Sequence, residues 1–221
     1  MINVAIDGPA GAGKSTIARK AAAELGFIYI DTGALYRTVG LAALRAGKDI
    51  KSPAEVESVL TDELCVELRF ENGEQRMYLN GEDVSEKIRT PEASMAASAV
   101  SAVPAVRAYL FDLQKKLARE NNCIMDGRDI GTVVLPDAKV KIFLTASPEA
   151  RAERRYKELC EKGMSVDFED VLADINKRDY DDSHRAIAPL KQAEDAVLCD
   201  TSNIGLEESI ELIINIIKEN I

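Results

Sequence analysis

The chain has 221 residues, a formal net charge of −10 and 46% apolar residues. That length supports a full hydrophobic core and lies between one and two domains. The acidic balance argues against nonspecific binding to nucleic acid or to an anionic membrane surface, so any phosphate chemistry must rest on locally placed Arg and Lys.

Cys65, Cys123, Cys160 and Cys199 form no CxxC pair. They read as reduced, mostly packed thiols of a cytosolic protein. No charged-then-apolar signal segment follows Met1, and no apolar run approaches the roughly 18 residues of a membrane span. The expectation is a cytoplasmic protein whose partners are neither membrane nor nucleic acid.

Residues 2–7 form an apolar run that leads into Gly8-Pro9-Ala10-Gly11-Ala12-Gly13-Lys14-Ser15-Thr16. This fits G-x-x-x-x-G-K-[ST] between a strand and a helix, the setting that the motif needs. Gly8 and Gly13 let the backbone curl so that N–H groups point inward at phosphate oxygens. A helix patterned on Ile17, Ala18, Ala21, Ala22 and Leu25 adds its positive N-terminal end. Lys14 can reach the outer phosphates, and the Ser15 hydroxyl can ligate Mg²⁺.

A second strand, 27–31, runs into Asp31-Thr32-Gly33-Ala34-Leu35-Tyr36-Arg37. Arg37, one turn inside a helix, offers a planar fork suited to phosphate. The segment 62–84 breaks the α/β rhythm. Leu64, Val66, Leu68 and Phe70 alternate with other residues, and Asn72-Gly73 and Asn80-Gly81 mark two turns. The spacing predicts a three-stranded antiparallel meander inserted into the main fold. Thr90-Pro91 then opens a small-residue helix over 92–103, which Pro104 ends or kinks. Ser94, Ser98 and Ser101 share one face of it.

The third run, 123–126, ends in Asp126-Gly127-Arg128-Asp129-Ile130-Gly131-Thr132. Asp126 stands where a Walker-B acid holds Mg²⁺, directly or through water. Arg128 and Asp129 sit on a Gly-flanked loop at the binding edge. After the run 140–145, Ser147-Pro148 reads as a helix start. Arg151, Arg154 and Arg155 share one face of that helix. Following a strand that ends beside the cradle, they suit a phosphate-clamping lid. Further on, Arg178, Asp182 and Arg185 fall on one helix face. The single His184 reads as a surface residue. Asn176-Lys177-Arg178-Asp179 matches the N-K-x-D motif of GTP-dependent switches, but Val171, Leu172 and Ile175 give it a helical setting. A last run, 196–200, precedes a helix with a core stripe of Leu206, Ile210, Ile213, Ile214 and Ile217. Most of the five runs are continuously apolar, which predicts a parallel α/β sheet covered on both faces, with its site at the C-terminal strand edge.

Six stretches carry a family resemblance: IDGPAGAGKST (6–16), DTGALYR (31–37), EDVSEKIRTPE (82–92), VPAVR (103–107), DGRDIGTVVLPDA (126–138) and RAIAPL (185–190). Together and in order they resemble the bacterial cytidylate kinases, P-loop enzymes that move a phosphoryl group from ATP to CMP or dCMP. The resemblance implies a single kinase domain over 1–221 with a five-stranded parallel sheet flanked by helices. It also implies a monophosphate-binding insertion at 62–104, a short helical lid at about 148–168, a monomeric state, and Mg²⁺ as cofactor. Gly8 to Thr16 would bind ATP, with Ser15 and Asp126 holding the metal. Lys14, Arg128, Arg151, Arg154 and Arg155 would be catalytic. Arg37, Arg128 and Arg185 would clamp the CMP phosphate. Ser98, Arg107 and Asp129 would read cytosine, and Arg178 and Asp182 would contact the pentose. Thr32 stands at a substrate position where Ser is often found, and Ser15 where some members have Gly. The alternatives are a P-loop kinase acting on another small molecule, or a GTP-dependent switch.

Overall fold

The structure, a computed structural model, describes residues 1–71 and 73–221. Two compact units divide the chain: Met1–Tyr29 with Asn121–Ile221, and Ile30–Glu120.

The first unit opens with β1 (Asn3–Asp7), α1 (Lys14–Leu25) and the start of β2 (Ile28–Asp31). The second contains α2 (Thr32–Arg45), α3 (Pro53–Glu57), β3 (Val66–Glu71), β4 (Glu74–Leu79), β5 (Glu82–Asp83), α4 (Pro91–Ser101) and α5 (Pro104–Glu120). The chain then returns through β6 (Cys123–Gly127), a π-helical turn (Ile130–Val134), β7 (Val140–Thr145), α6 (Pro148–Glu161), α7 (Phe168–His184), β8 (Val197–Asp200) and α8 (Leu206–Asn220). Among the described residues no single helix is long and apolar enough to cross a membrane.

The five predicted runs form one sheet in the order β2-β6-β1-β7-β8. β1 pairs in parallel with β6, from Asn3 opposite Cys123 to Asp7 opposite Gly127, and on its other side with β7. Val4, Ile6, Ile124, Ile142 and Leu144 pack in one core with α1 and α8 on one face of the sheet, and Ala5 and Met125, which point to the opposite face, are buried as well, which explains why these strands are apolar throughout. α8 contributes Ile210, Ile213, Ile214 and Ile217 to this core. Leu206 does not join them. It sits in the first turn and is 47% exposed, because the helix has only begun to turn its apolar face inward there. Cys123 and Cys199 are packed, whereas Cys65 and Cys160 are exposed.

In the second unit, β3, β4 and β5 form the expected antiparallel meander. The turn at Asn80-Gly81 has positive φ at both residues (51° and 81°), as a hairpin turn of this type requires. Of the Asn72-Gly73 turn, Asn72 lies outside the described residues; Glu71 pairs with Glu74 across it. Thr90 caps α4 by accepting from Ala93 N at 3.1 Å. The helix ends at Ser101, two residues before the predicted limit, and Pro104 opens α5.

α2 and α4 approach closely at Gly40. A Cβ there would lie 2.8 Å from Ala96 Cβ and 3.1 Å from Ala96 C, with backbone on one side of the contact. Neither neighbour can swing away, so Gly40→Ala must push the helices apart. We expect it to destabilise the protein by about 1–3 kcal/mol. A lowered midpoint in thermal or urea unfolding is the check; an unchanged midpoint would show that the contact relaxes freely.

Candidate active site

The phosphate loop follows from where β1 ends. Gly8 has φ 153°, and a Cβ on it would stand 1.9 Å from the Leu144 carbonyl oxygen. Only glycine lets the chain leave the sheet this close to β7. Gly13 caps α1 at φ 87° and makes no side-chain cap bond. The first N–H groups of α1 are thus left for an anion. Lys14 is buried, and its Nζ donates to Pro9 O at 2.7 Å. Burial first, then the Arg128 guanidinium, push its pKa down to about 7; Asp126, Asp182 and Asp7 oppose the shift. Ser15 Oγ donates to Asp126 Oδ2 at 2.9 Å, and Tyr29 Oη donates to Asp126 Oδ1 at 2.9 Å. Thr16, beside Ser15, is exposed.

The D-G-R-D loop after β6 lies in the same unit. Arg128 Nε donates to Asp182 Oδ2 at 2.7 Å, and Arg185 Nη2 donates to Asp129 Oδ1 at 3.3 Å. Arg128 and Asp129 thus both meet partners on α7 and at its C-terminal cap. Asp129 and the Arg185 side chain are both nearly inaccessible. Desolvation, then the Arg128 and Arg155 cations, hold Arg178 below its ordinary range. This crowding of guanidiniums is costly unless an anion enters among them.

The α6 arginines share a helix face but not a partner. Arg151 is buried: Nε donates to Ala146 O, Nη1 to Ala10 O of the phosphate loop at 3.0 Å, and both Nη atoms to the Asp179 carboxylate at 2.9 and 2.6 Å. Arg154 donates to Thr201 through both terminal nitrogens. Arg155 pairs with Glu158 at 2.8 Å, where both side chains are partly exposed. The N-K-x-D match at 176–179 lies inside α7, with Asp179 taken up by Arg151.

In the second unit, Asp31 caps α2 by accepting from Ala34 N at 2.9 Å and pairs with Arg37 at 2.7 Å. Arg37 Nε is buried without a hydrogen-bond partner among the described residues. A Cβ on Gly33 would crowd Arg37 Nη1 at 3.0 Å, so that glycine leaves room for the guanidinium. Thr32 is buried at the start of α2. Ser98 is exposed on α4, whereas Ser94 and Ser101 donate to carbonyls of their own helix. Arg107 donates to Ser101 O at 3.4 Å and lies 5.8 Å from the Tyr36 ring centre.

Four participants escape a reading of the sequence alone. Tyr29 holds Asp126, Asp179 holds Arg151, Thr201 holds Arg154, and Asp7 accepts from the backbone of Ile130 and Gly131. Only Asp7 left a signal, as a carboxylate ending an apolar strand at the binding edge.

The sequence profile of the family described as cytidylate kinase matches residues 4–219. A cytidylate kinase of Thermosipho melanesiensis is 50% identical over 216 residues, covering 98% of this chain and 96% of that one. One from Caldicellulosiruptor saccharolyticus is 51% identical over 217 residues, covering 97% and 95%. Among solved structures, the shikimate kinase of Bacteroides thetaiotaomicron superposes with a TM-score of 0.50 at 12% identity, covering 99% of this chain and 96% of that one. An uncharacterized protein from Eubacterium ventriosum gives 0.54 at 12%, covering 99% of both chains. At such identities the structures share the fold alone. The full-length profile match and the relatives at half identity establish that this chain belongs to the cytidylate kinase family.

Proposed function

We propose that this protein transfers the γ-phosphoryl group of ATP to CMP and dCMP, with Mg²⁺, acting as a monomer in the cytoplasm. The observation that carries the reading is geometric. Ser15 of the phosphate loop donates to Asp126 at the end of β6 at 2.9 Å, and Arg128, two residues on, pairs with Asp182 at 2.7 Å, so the loop that would hold ATP and the loop that would hold the acceptor meet within one unit.

The acceptor phosphate oxygen is already anionic near neutral pH and needs no strong base. Catalysis is then positioning and charge neutralisation. The phosphate loop binds the ATP phosphates, and Lys14 meets the transferring group. Arg128 and Arg185 hold the CMP phosphate, and the family resemblance gives Arg37 the same ligand. Asp129 reads the base, and the family resemblance gives Ser98 and Arg107 the same task; Arg178 and Asp182 contact the pentose, and the resemblance makes Thr32 a substrate position. Segment 148–168 closes as a lid and excludes water, and segment 62–104 serves monophosphate binding. Of the lid arginines, Arg155 is the most readily redirected to a phosphate. Its pair with Glu158 is partly exposed and contributes only ~0–1 kcal/mol, whereas Arg151 is fully engaged.

The residues present fit a magnesium ion. Ser15 and Asp126 present hard oxygen donors 2.9 Å apart. Among the described residues no cluster of three or more His, Cys, Asp or Glu forms a metal cage, so phosphate oxygens and water would complete the shell. When bound, the ion neutralises charge on the phosphates.

A panel of ATP with CMP, dCMP, UMP, AMP, GMP and non-nucleotide acceptors tests the reading. CMP and dCMP should lead; a non-nucleotide acceptor in front would point to another small-molecule kinase. Arg128→Lys should raise KM for CMP about 10-fold or more with little change for ATP, because a point charge cannot replace a bidentate fork. If the ATP constant moves instead, the two nucleotides are assigned the wrong way round.

A further inference from the structure

The backbone after β6 presents two N–H groups that one side chain accepts together. β6 ends at Gly127, opposite Asp7 of β1. Three residues later the chain enters the π-helical turn, where Val133 N and Val134 N both donate to Asp129 O (2.9 and 3.2 Å) and Leu135 N donates to Ile130 O. The N–H groups of Ile130 and Gly131 point out of the start of this turn. Asp7 accepts both, Ile130 N on Oδ1 at 2.8 Å and Gly131 N on Oδ2 at 2.7 Å.

We propose that Asp7 is a positioning residue for the acceptor: its carboxylate fixes the backbone of Ile130 and Gly131 and through it sets where Arg128 and Asp129 stand. The proposal rests on the assignment of Arg128 and Asp129 to CMP.

Three observations support it. Asp7 is 5% exposed and immediately precedes Gly8, so one rigid strand end carries the phosphate loop and anchors the acceptor loop. Gly131 is fitted to the carboxylate. A Cβ there would lie 3.3 Å from Asp7 Oδ2 and 3.3 Å from Lys141 Cδ, and the Lys141 side chain is itself tied to Asp195 through Nζ at 2.9 and 2.7 Å. Burial pushes the Asp7 pKa up to about 6 against the pull of those two N–H groups. A carboxylate kept ionised in such surroundings is a worse choice for folding than an apolar residue, unless its two acceptors are needed.

Asp7 also has a rival role. Its charge acts on Lys14, so it could serve the ATP side instead. Two substitutions separate these. Asp7→Asn keeps the shape but turns one acceptor into a donor that faces an N–H. Gly131→Ala crowds the carboxylate from the other side without touching its charge. Steady-state constants for CMP and ATP, calorimetric Kd for CMP alone and the unfolding midpoint are measured for each variant, for the double variant, and for Arg128→Lys.

Both single variants should raise KM and Kd for CMP about 10-fold or more, with the ATP constant within about threefold, as expected when binding groups are misplaced. The double variant should be no worse for CMP than the worse single one, because both break the same contact. A rise in the ATP constant equal to or larger than that for CMP would overturn the proposal in favour of the Lys14 role. A lowered unfolding midpoint with both constants unchanged would overturn it in favour of a purely structural role. If Asp7→Asn fails to fold, Gly131→Ala decides alone by the same criteria. If Arg128→Lys raises KM for CMP while Asp7→Asn and Gly131→Ala do not, the proposal fails and the acceptor assignment stands. If Arg128→Lys leaves CMP untouched, the assignment fails and takes the proposal with it.

Discussion

Lys14→Ala should cut turnover about 100-fold or more while leaving the fold intact. Lys14 is buried and, among the described residues, donates only to the Pro9 carbonyl, so the substitution removes one cation and one local hydrogen bond. The electrostatic consequence is larger than the structural one. Asp126, Asp182 and Asp7 all act on Lys14, and without it their negative charge meets the ATP phosphates with less opposition. The transferring group also loses the cation that best matches its developing charge, and the low dielectric of a buried site magnifies that loss. ATP affinity should fall as well, since the same carboxylates repel the ground state. Circular dichroism and an unfolding curve would establish that the variant is folded. Near-normal turnover in such a variant would remove Lys14 from the mechanism.

The second large effect concerns the base. Cytosine presents an amino donor at C4 and an acceptor at N3; uracil presents a carbonyl and an N–H. With Asp129 accepting from the amine, CMP should outrun UMP by roughly 10- to 100-fold in kcat/KM, because the wrong base leaves polar groups repelled or unpaired. AMP and GMP should be poor, since a purine would overfill a site that accepts a pyrimidine. Asp129→Ala should narrow the CMP/UMP ratio mainly by lowering the CMP rate. It also leaves the nearly buried Arg185 without its 3.3 Å partner, so a loss of stability is expected beside the kinetic effect. Asp129→Asn separates the two. It keeps the volume and one acceptor, supplies a donor that uracil O4 can accept, and should move the ratio further toward UMP. Ser98→Ala should act like Asp129→Ala but more weakly, because a neutral hydroxyl contributes less than a charged group. If the Asp129 variants keep the parent ratio, Asp129 does not read the base, and its role is to hold Arg185.

Much of the molecule was legible because it depends on neighbours in the chain. The phosphate loop needs glycines at Gly8 and Gly13 for backbone reasons that act within a few residues. The caps at Thr90 and Ser147 are satisfied by N–H groups three residues on. The continuously apolar strands announced a parallel sheet, since strands covered on both faces cannot alternate. The N-K-x-D match could be set aside for the same local reason: its surroundings repeat with helical spacing, and the segment is helical.

Charged residues were a different matter. Helical spacing put Arg151, Arg154 and Arg155 on one face, and that much is periodic geometry. Their separate fates depend on Asp179, Thr201 and Glu158, and two of these three lie 28 and 47 residues away. Arg128 and Asp129 are adjacent in the chain, yet their carboxylate and guanidinium partners, Asp182 and Arg185, arrive from more than fifty residues downstream. The two N–H groups that Asp7 accepts belong to residues 123 and 124 positions away. The strands, the phosphate loop, the helix caps and the family are legible in the order of the residues, because they follow from backbone conformation and short-range pattern. Which charge meets which is not, because an ion pair depends on distance in space, and only the folded sheet sets those distances.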